Sequence, residues 1–295
     1  MSLWNQLSKD KWAVASMSVI GVILLAGVLA PWIAPNDPYA VQMRLRFASP
    51  SWEYWLGNDH LGRCILSRII YGIRHSILWV LAALAASVLI GALIGFAAGY
   101  FRGRTDAVLM RICDVMLSFP GYVMMLAIVG ILGPGLENIL LAFIVMKWAW
   151  FARVIRTSVM QYAEMDYVRF AKAVGIRHRT ILIRHMLPAA LPDIAVIASG
   201  SICSMILQVS GLSFLSLGIQ APYAEWGMML NEARAVMFSR PELMLAPGLA
   251  IVISVMAFNF LADSIQVALD PKLRTKSARR RTKEAENKAY EYVRG

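Results

Sequence analysis

The sequence predicts an all-α, polytopic membrane protein with six spanning helices. Three observations predict it. First, 59% of residues are apolar and only 16% are charged, against about 45–50% and about 25% in ordinary soluble domains. Second, the apolar surplus comes in long uncharged blocks rather than being spread over the 295 residues. Third, the Lys and Arg behind the net charge of +11 lie between and after those blocks. Bases placed this way point to lipid headgroups and topology rather than to nucleic acid.

About 20 apolar residues cross the hydrocarbon core of a bilayer. Six blocks meet or approach that length: 12–34, 77–100, 115–133, 137–154, 192–218 and 244–268. Lys9 and Lys11 precede the first block. It is longer than the apolar stretch of a secretory signal, and no small-residue cleavage site ends it, so it reads as an uncleaved helix. In the second block Ala83, Ser87, Gly91, Gly95 and Gly99 recur every four residues. They form a small-residue stripe that lets a neighbouring backbone approach closely. The fourth block contains Lys147. Either that helix ends early and Lys147 snorkels to the surface, or the charge lines a pathway or meets a partner's acid. Lys147 is the translocation-path candidate.

Loop charge gives the orientation. With both termini inside, the inner segments 101–114, 155–191 and the tail after Pro271 are all basic. The outer segments 134–136 and 219–243 hold only Arg234 and Arg240. Segment 35–76 is an exception, with Arg44, Arg46, Arg63, Arg68 and Arg74. It is long enough to carry structure, and its Trp52, Tyr54 and Trp55 suit an interface. The chain divides into an N-terminal helix and outer loop (1–76), a five-helix membrane domain (77–270) and a basic cytoplasmic tail (271–295). The tail reads as a solvated extension near anionic lipid.

Enzyme chemistry finds little support. The sequence has no G-x-x-x-x-G-K-[ST], H-E-x-x-H or G-x-S-x-G. No two of the four histidines have the i, i+4 spacing of a helical metal pair, and Cys64, Cys113 and Cys203 form no C-x-x-C. No metal site, no cofactor and no catalytic residue is expected.

The informative inner segment is YVRFAKAVGIRHRTILIRHMLP, Tyr167 to Pro188. Tyr167–Val174 can form a short helix, Gly175 a positive-φ turn and Thr180–Leu187 a second helix, which Pro188 ends. Val168, Ala171 and Val174 fall on one face, leaving Arg169, Lys172 and Arg177 wet. Such a hairpin is a docking element for a partner or an interfacial helix lying on lipid.

This hairpin resembles the coupling loop of binding-protein-dependent ABC importer permeases, E-A-A-x3-G-x9-I-x-L-P. Ala171, Gly175, Leu187 and Pro188 keep that spacing, while Arg169 and His185 replace its Glu and Ile. Four more segments resemble the nickel/dipeptide/oligopeptide branch. LGNDHLGRCILSRIIYGIRHS matches at Gly57, Asp59, Gly62, Arg63, Ser67, Arg68, Gly72 and Arg74, with Cys64 where Asp is usual. AGYFRGRTDAVLMRICDVMLSFP matches at Gly99, Asp106, Arg111, Asp114 and Pro120. There Arg111 and Asp114 are i, i+3 neighbours able to pair. LSFLSLGIQAPYAEWGMML carries Ser216 for a Gly, and FNFLADSIQVALDPKL keeps Asp263 but has Gln266 and Val267 for Arg and Asp. The resemblance is closest to the second, or "C", permease, and within it to the nickel-type subunit.

That resemblance implies a membrane-spanning subunit of an ATP-driven importer in the bacterial cytoplasmic membrane, with ATP hydrolysis on other chains. It implies a heterodimer with a second related permease, two ABC ATPases and an extracytoplasmic substrate-binding protein. Tyr167, Val168, Ala171, Val174, Gly175, His185, Leu187 and Pro188 would couple to an ATPase. Segments 35–76 and 219–243 would meet the binding protein. Nickel or a nickel chelate is the expected cargo, with di- or oligopeptides the alternative. A secondary transporter or channel subunit is the different-class alternative; it would show inverted repeats, and none is visible.

Overall fold

A computed structural model describes residues 7–269. The basic tail 271–295 lies outside the described residues. Among those described, the chain is helical, with a lone antiparallel bridge between Asn58 and Cys64.

Helix α1 (Lys11–Val28) starts where the Asp10 carboxylate accepts from the Trp12 N–H at 3.2 Å. The same carboxylate accepts from Ser264 Oγ, and Trp12 stacks on Phe260, which fixes α1 against the last helix. The first apolar block is not one helix: α1 stops at Val28, and Ala30–Ile33 makes a separate turn with Pro31 at its start. Helix α2 (Ile65–Phe101) is 37 residues long. It starts well before the apolar block at 77, because polar residues such as Arg68 and His75 interrupt the hydropathy but not the helix. The boundary drawn at 76/77 falls inside it. A π turn at Arg74–Leu78 widens it, with the Trp79 N–H bonded to Arg74 O.

The third block is two helices, α3 (Gly103–Ser118) and α4 (Gly121–Leu132), bent by 82° at Phe119–Pro120. Pro120 removes a backbone donor and pushes the preceding residue out of the helical region. Helix α5 (Leu136–Ala163) runs past the expected end at 154. Lys147 therefore lies near the middle of a continuous helix, which removes the reading in which the helix ends early. A short helix, α6 (Asp166–Ala173), leads to α7 (His178–Phe214), 37 residues. Helix α8 (Trp226–Ala233) is followed by α9 (Glu242–Leu269). Five helices are long and apolar enough to span a membrane, or six if the bent pair α3/α4 forms one span.

The central pair is α2 against α5. A Cβ on Gly91 would sit 2.5 Å from Phe151 Cβ, and one on Gly95 2.7 Å from Ala152 O. The small-residue stripe lets the α5 backbone lie where side chains would otherwise be. In lipid, such close approach replaces the hydrophobic drive that folds soluble bundles. Charged ties hold α3 to α5: Arg156 makes a bidentate pair with Asp106, and Arg153 pairs with Asp114. The expected Arg111–Asp114 pair gives way to Arg153–Asp114, because Asp114 reaches across to Arg153 on α5.

Candidate functional site

Most of the residues singled out by sequence lie at two ends of the bundle. Helix α2 connects them, starting beside the first loop and ending at the 166–178 hairpin, about 55 Å away along its axis.

At the first end, loop 35–64 and α8 are joined by four buried or nearly buried charges. Arg63 Nε lies 2.6 Å from Asp59 Oδ2, and Arg63 Nη2 lies 2.7 Å from Glu232 Oε2. Arg68 Nη2 reaches the same Glu232 oxygen at 3.0 Å and donates through Nη1 to Pro222 O at 3.2 Å. Two carboxylates balance two guanidiniums, which is what buried charge requires. The loop backbone is pinned at Gly62, whose φ is +75° and where a Cβ would lie 1.9 Å from Gln42 O. Ser67 accepts from the Asn36 N–H at 3.1 Å. Asp59, His60 and Glu232 offer ligand atoms within 4.8 Å of one another. Arg63 and Arg68 already occupy both carboxylates, so a cation there would meet two guanidiniums.

Beside this network Glu225 is fully buried at the start of α8. Its carboxylate accepts from the N–H groups of Gly227 (2.9 Å) and Met228 (2.8 Å) and from Ser76 Oγ (3.1 Å). Ser76 Oγ in turn accepts from the Trp226 N–H. Burial pushes the Glu225 carboxyl above the usual range, and these hydrogen bonds pull it back only in part. A cavity of about 740 Å³ opens next to it, between the start of α5, residues 219–223 and the π turn of α2 that carries His75.

At the other end, α6 closes on itself without a side-chain cap. The Gly175 N–H bonds to Lys172 O at 3.1 Å and the Ile176 N–H to Ala171 O at 3.0 Å. Gly175 has φ +79°, the left-handed position that such a closure needs. Val168 and Ala171 are buried against the chain's own bundle. Val174 is not on that docked face: it is 62% exposed, beside Phe170 at 71%. Tyr167 is exposed with them. Lys172 is also more than a wet residue, since its Nζ sits 4.5 Å from the centroid of the Tyr100 ring. Tyr100 Oη lies 2.7 Å from His178 Nδ1, so the turn is tied to the end of α2.

The second arm of the hairpin is not a separate short helix, and Pro188 does not end it. Helix α7 continues from His178 through a π turn at Ile181–Met186 and on past Pro188 and Pro192. The Leu187 N–H bonds to Leu182 O, five residues back. Widening the helix just before Pro188 accommodates the missing N–H and the ring without breaking the helix. His185 and Leu187 are half-buried on this arm, and Pro188 is exposed.

Comparison with known proteins decides what this arrangement is. Residues 91–275 match the family model described as "Binding-protein-dependent transport system inner membrane component". Residues 2–50 match the N-terminal TM domain of oligopeptide transport permease C. This chain belongs to the binding-protein-dependent ABC importer permeases. It is a multi-pass inner-membrane transport component rather than an enzyme.

Within that permease family, the chain is 54% identical over 283 residues to the metal-staphylopine import system permease protein of Staphylococcus aureus, covering 96% of this chain and 98% of the relative. It is 38% identical over 275 residues to the nickel transport system permease protein of Escherichia coli, covering 93% and 99%. The dipeptide transport system permease protein of Alkalihalophilus pseudofirmus is 36% identical over 272 residues, covering 92% and 90%. The fold is also similar to the inward-facing MetNI methionine ABC transporter, with TM-score 0.56 and 16% identity over 69% of this chain and 96% of that one.

The motif residues of this permease fall into distinct places. Gly57, Asp59, Gly62, Arg63, Ser67 and Arg68 converge on the first-end network. Asp106 and Asp114 tie α3 to α5. Asp263 and Arg111 are exposed, without an ion pair among the described residues. Lys147 is half-buried, with Nζ 5.6 Å from the centroid of the Phe143 ring. Sequence reading missed Glu232, which completes the network. Its signal was the exceptional basic loop 35–76, whose arginines needed acids from another outer segment.

Proposed function

We propose that this permease forms half of the translocation pathway of an ATP-driven importer for metal chelates, beside a second related permease. Both termini face the cytoplasm, two ABC ATPases dock there, and an extracytoplasmic binding protein meets loop 35–64 and segment 219–243. The basic segments 101–114 and 155–191 support that orientation. Pairing of Arg63 and Arg68 with Asp59 and Glu232 weakens its one exception. The 54% identity to a metal-staphylopine permease supports a metal chelate as cargo. The dipeptide relative favours a second reading, peptide import, and competition between the two solutes in a transport assay separates them.

The observation that carries the coupling role is the 166–178 hairpin. Val168 and Ala171 lock it to its own bundle, while Tyr167, Phe170 and Val174 stand exposed on a solvent-facing turn. Gly175→Val tests it cleanly, because a Cβ at Gly175 meets nothing within 4 Å. Only the backbone is strained, by about 1–3 kcal/mol for a β-branched residue in the left-handed region. The variant is expected to insert and pair with its partner permease but to lose about tenfold in substrate-stimulated ATP hydrolysis. ATPase pull-down and hydrolysis in reconstituted membranes measure this. Full docking and full stimulation would leave the hairpin as an element resting on lipid.

A further inference from the structure

We propose that the cavity beside His75 is a transit site in which the His75 imidazole binds the metal of a metal–chelate solute. This rests on the metal-chelate reading above. The cavity, about 740 Å³, falls within the range of about 300–1,000 Å³ typical of small-molecule sites. Its walls are mostly apolar, with His75, Glu137, Gln220 and Tyr223 as the polar side chains, and neither Lys nor Arg lines it.

His75 is prepared for such a role. Its Nδ1 lies 2.8 Å from Ala224 O. A carbonyl only accepts, so the neutral ring carries its proton on Nδ1 and keeps the lone pair on Nε2. A backbone carbonyl that fixes tautomer and ring orientation in this way is the usual outer partner of a metal-binding histidine. The residue also sits in the π turn Arg74–Leu78, a local widening that favours functional positions over regular packing.

Glu137 supplies the charge. It is exposed in the first turn of α5 and has no ion pair among the described residues. Glu137 is the one charged side chain on the lining, while the exposed Arg74 beside His75 lies outside it. The Asp59–His60–Glu232 cluster differs, because two guanidiniums already neutralise its carboxylates. One imidazole and one carboxylate are too few to strip a metal from a multidentate chelator. They suffice to hold the complex briefly and release it, which is what a pathway requires.

The test uses the whole importer in proteoliposomes with its loaded binding protein and ⁶³Ni²⁺–staphylopine as probe. His75→Asn keeps an amide able to donate to Ala224 O but removes the imidazole. Uptake is expected to fall about tenfold or more, and Glu137→Gln to lower it in the same direction. The visible spectrum of Co²⁺–staphylopine added to the purified importer should shift with the wild type and not with His75→Asn. Uptake by His75→Asn within about twofold of wild type, with no spectral difference, overturns the site. Loss of the second permease from the purified variant also overturns it, by assigning the cavity to a subunit interface. Failure of the wild type itself to take up the probe counts instead against the metal-chelate reading.

Discussion

The two ends of the bundle are built on opposite principles. At the loop 35–64 end, charges are taken out of water, and each of the two carboxylates, Asp59 and Glu232, pairs with both arginines. At the hairpin end, the turn is held by backbone hydrogen bonds, the Tyr100–His178 contact and a cation over a ring, and Tyr167, Phe170 and Val174 stay exposed. The first end is fixed by what it buries. The second is left incomplete. Buried polar ties hold a surface in one shape, whereas exposed apolar residues leave a surface able to take a partner.

The largest expected effect lies in the buried network. Glu232→Gln removes the charge that both Arg63 and Arg68 share, at a cost of about 3–5 kcal/mol. Thermal unfolding in detergent should show a drop of several degrees, and protease cleavage within 35–64 should quicken. If the melting temperature holds, the two ends are not as different as their burial implies.

A smaller effect sharpens the same contrast by pH. The folded Glu225 carboxyl is raised above its unfolded value of about 4.3. Its contribution is therefore complete below that value and is lost as pH rises through the folded one. The stability of wild type relative to Glu225→Gln should be greatest in acid and decline toward neutral pH. A melting series of both proteins checks the slope, and a flat or rising difference would mean that the carboxylate is held charged.

The smallest effect belongs to the hairpin. Lys172→Gln removes the cation over Tyr100, worth about 0.5–1 kcal/mol at an exposed site. Global stability should stay nearly unchanged, while amide exchange across 166–178 speeds up several-fold. Slow exchange in the variant would show that the turn is as tightly held as the opposite end.

Much of this was legible in the chain. The period-four stripe from Ala83 to Gly99 announced a close helix approach, and the structure supplies its partner, α5. The turn at Gly175 was equally visible. What failed was punctuation by proline. Pro120 ends a helix within a continuous apolar block, so hydropathy hid the 82° bend between α3 and α4. Pro188 looks like a stop and is not, because a π turn absorbs it. The start of α2 was hidden for the converse reason: Arg68 and His75 lower hydropathy without interrupting the backbone. The partners of Arg63, Arg68 and Asp114 come from segments distant in sequence, and local spacing cannot find them.

Helix α7 runs unbroken from the hairpin turn into the bundle, 37 residues or about 55 Å. The regular hydrogen-bond ladder is interrupted near one end by the π turn at Ile181–Met186. Roughly 10 Å of the helix precedes the middle of that turn and roughly 45 Å follows it. If the rod pivots there, it is a lever with unequal arms. A push of about 2 Å on the short arm becomes a sweep of about 9 Å at the far end, at a correspondingly reduced force. Under the proposed coupling role, a short travel of the hairpin, firmly gripped, is enough for a large displacement at the far end of the helix.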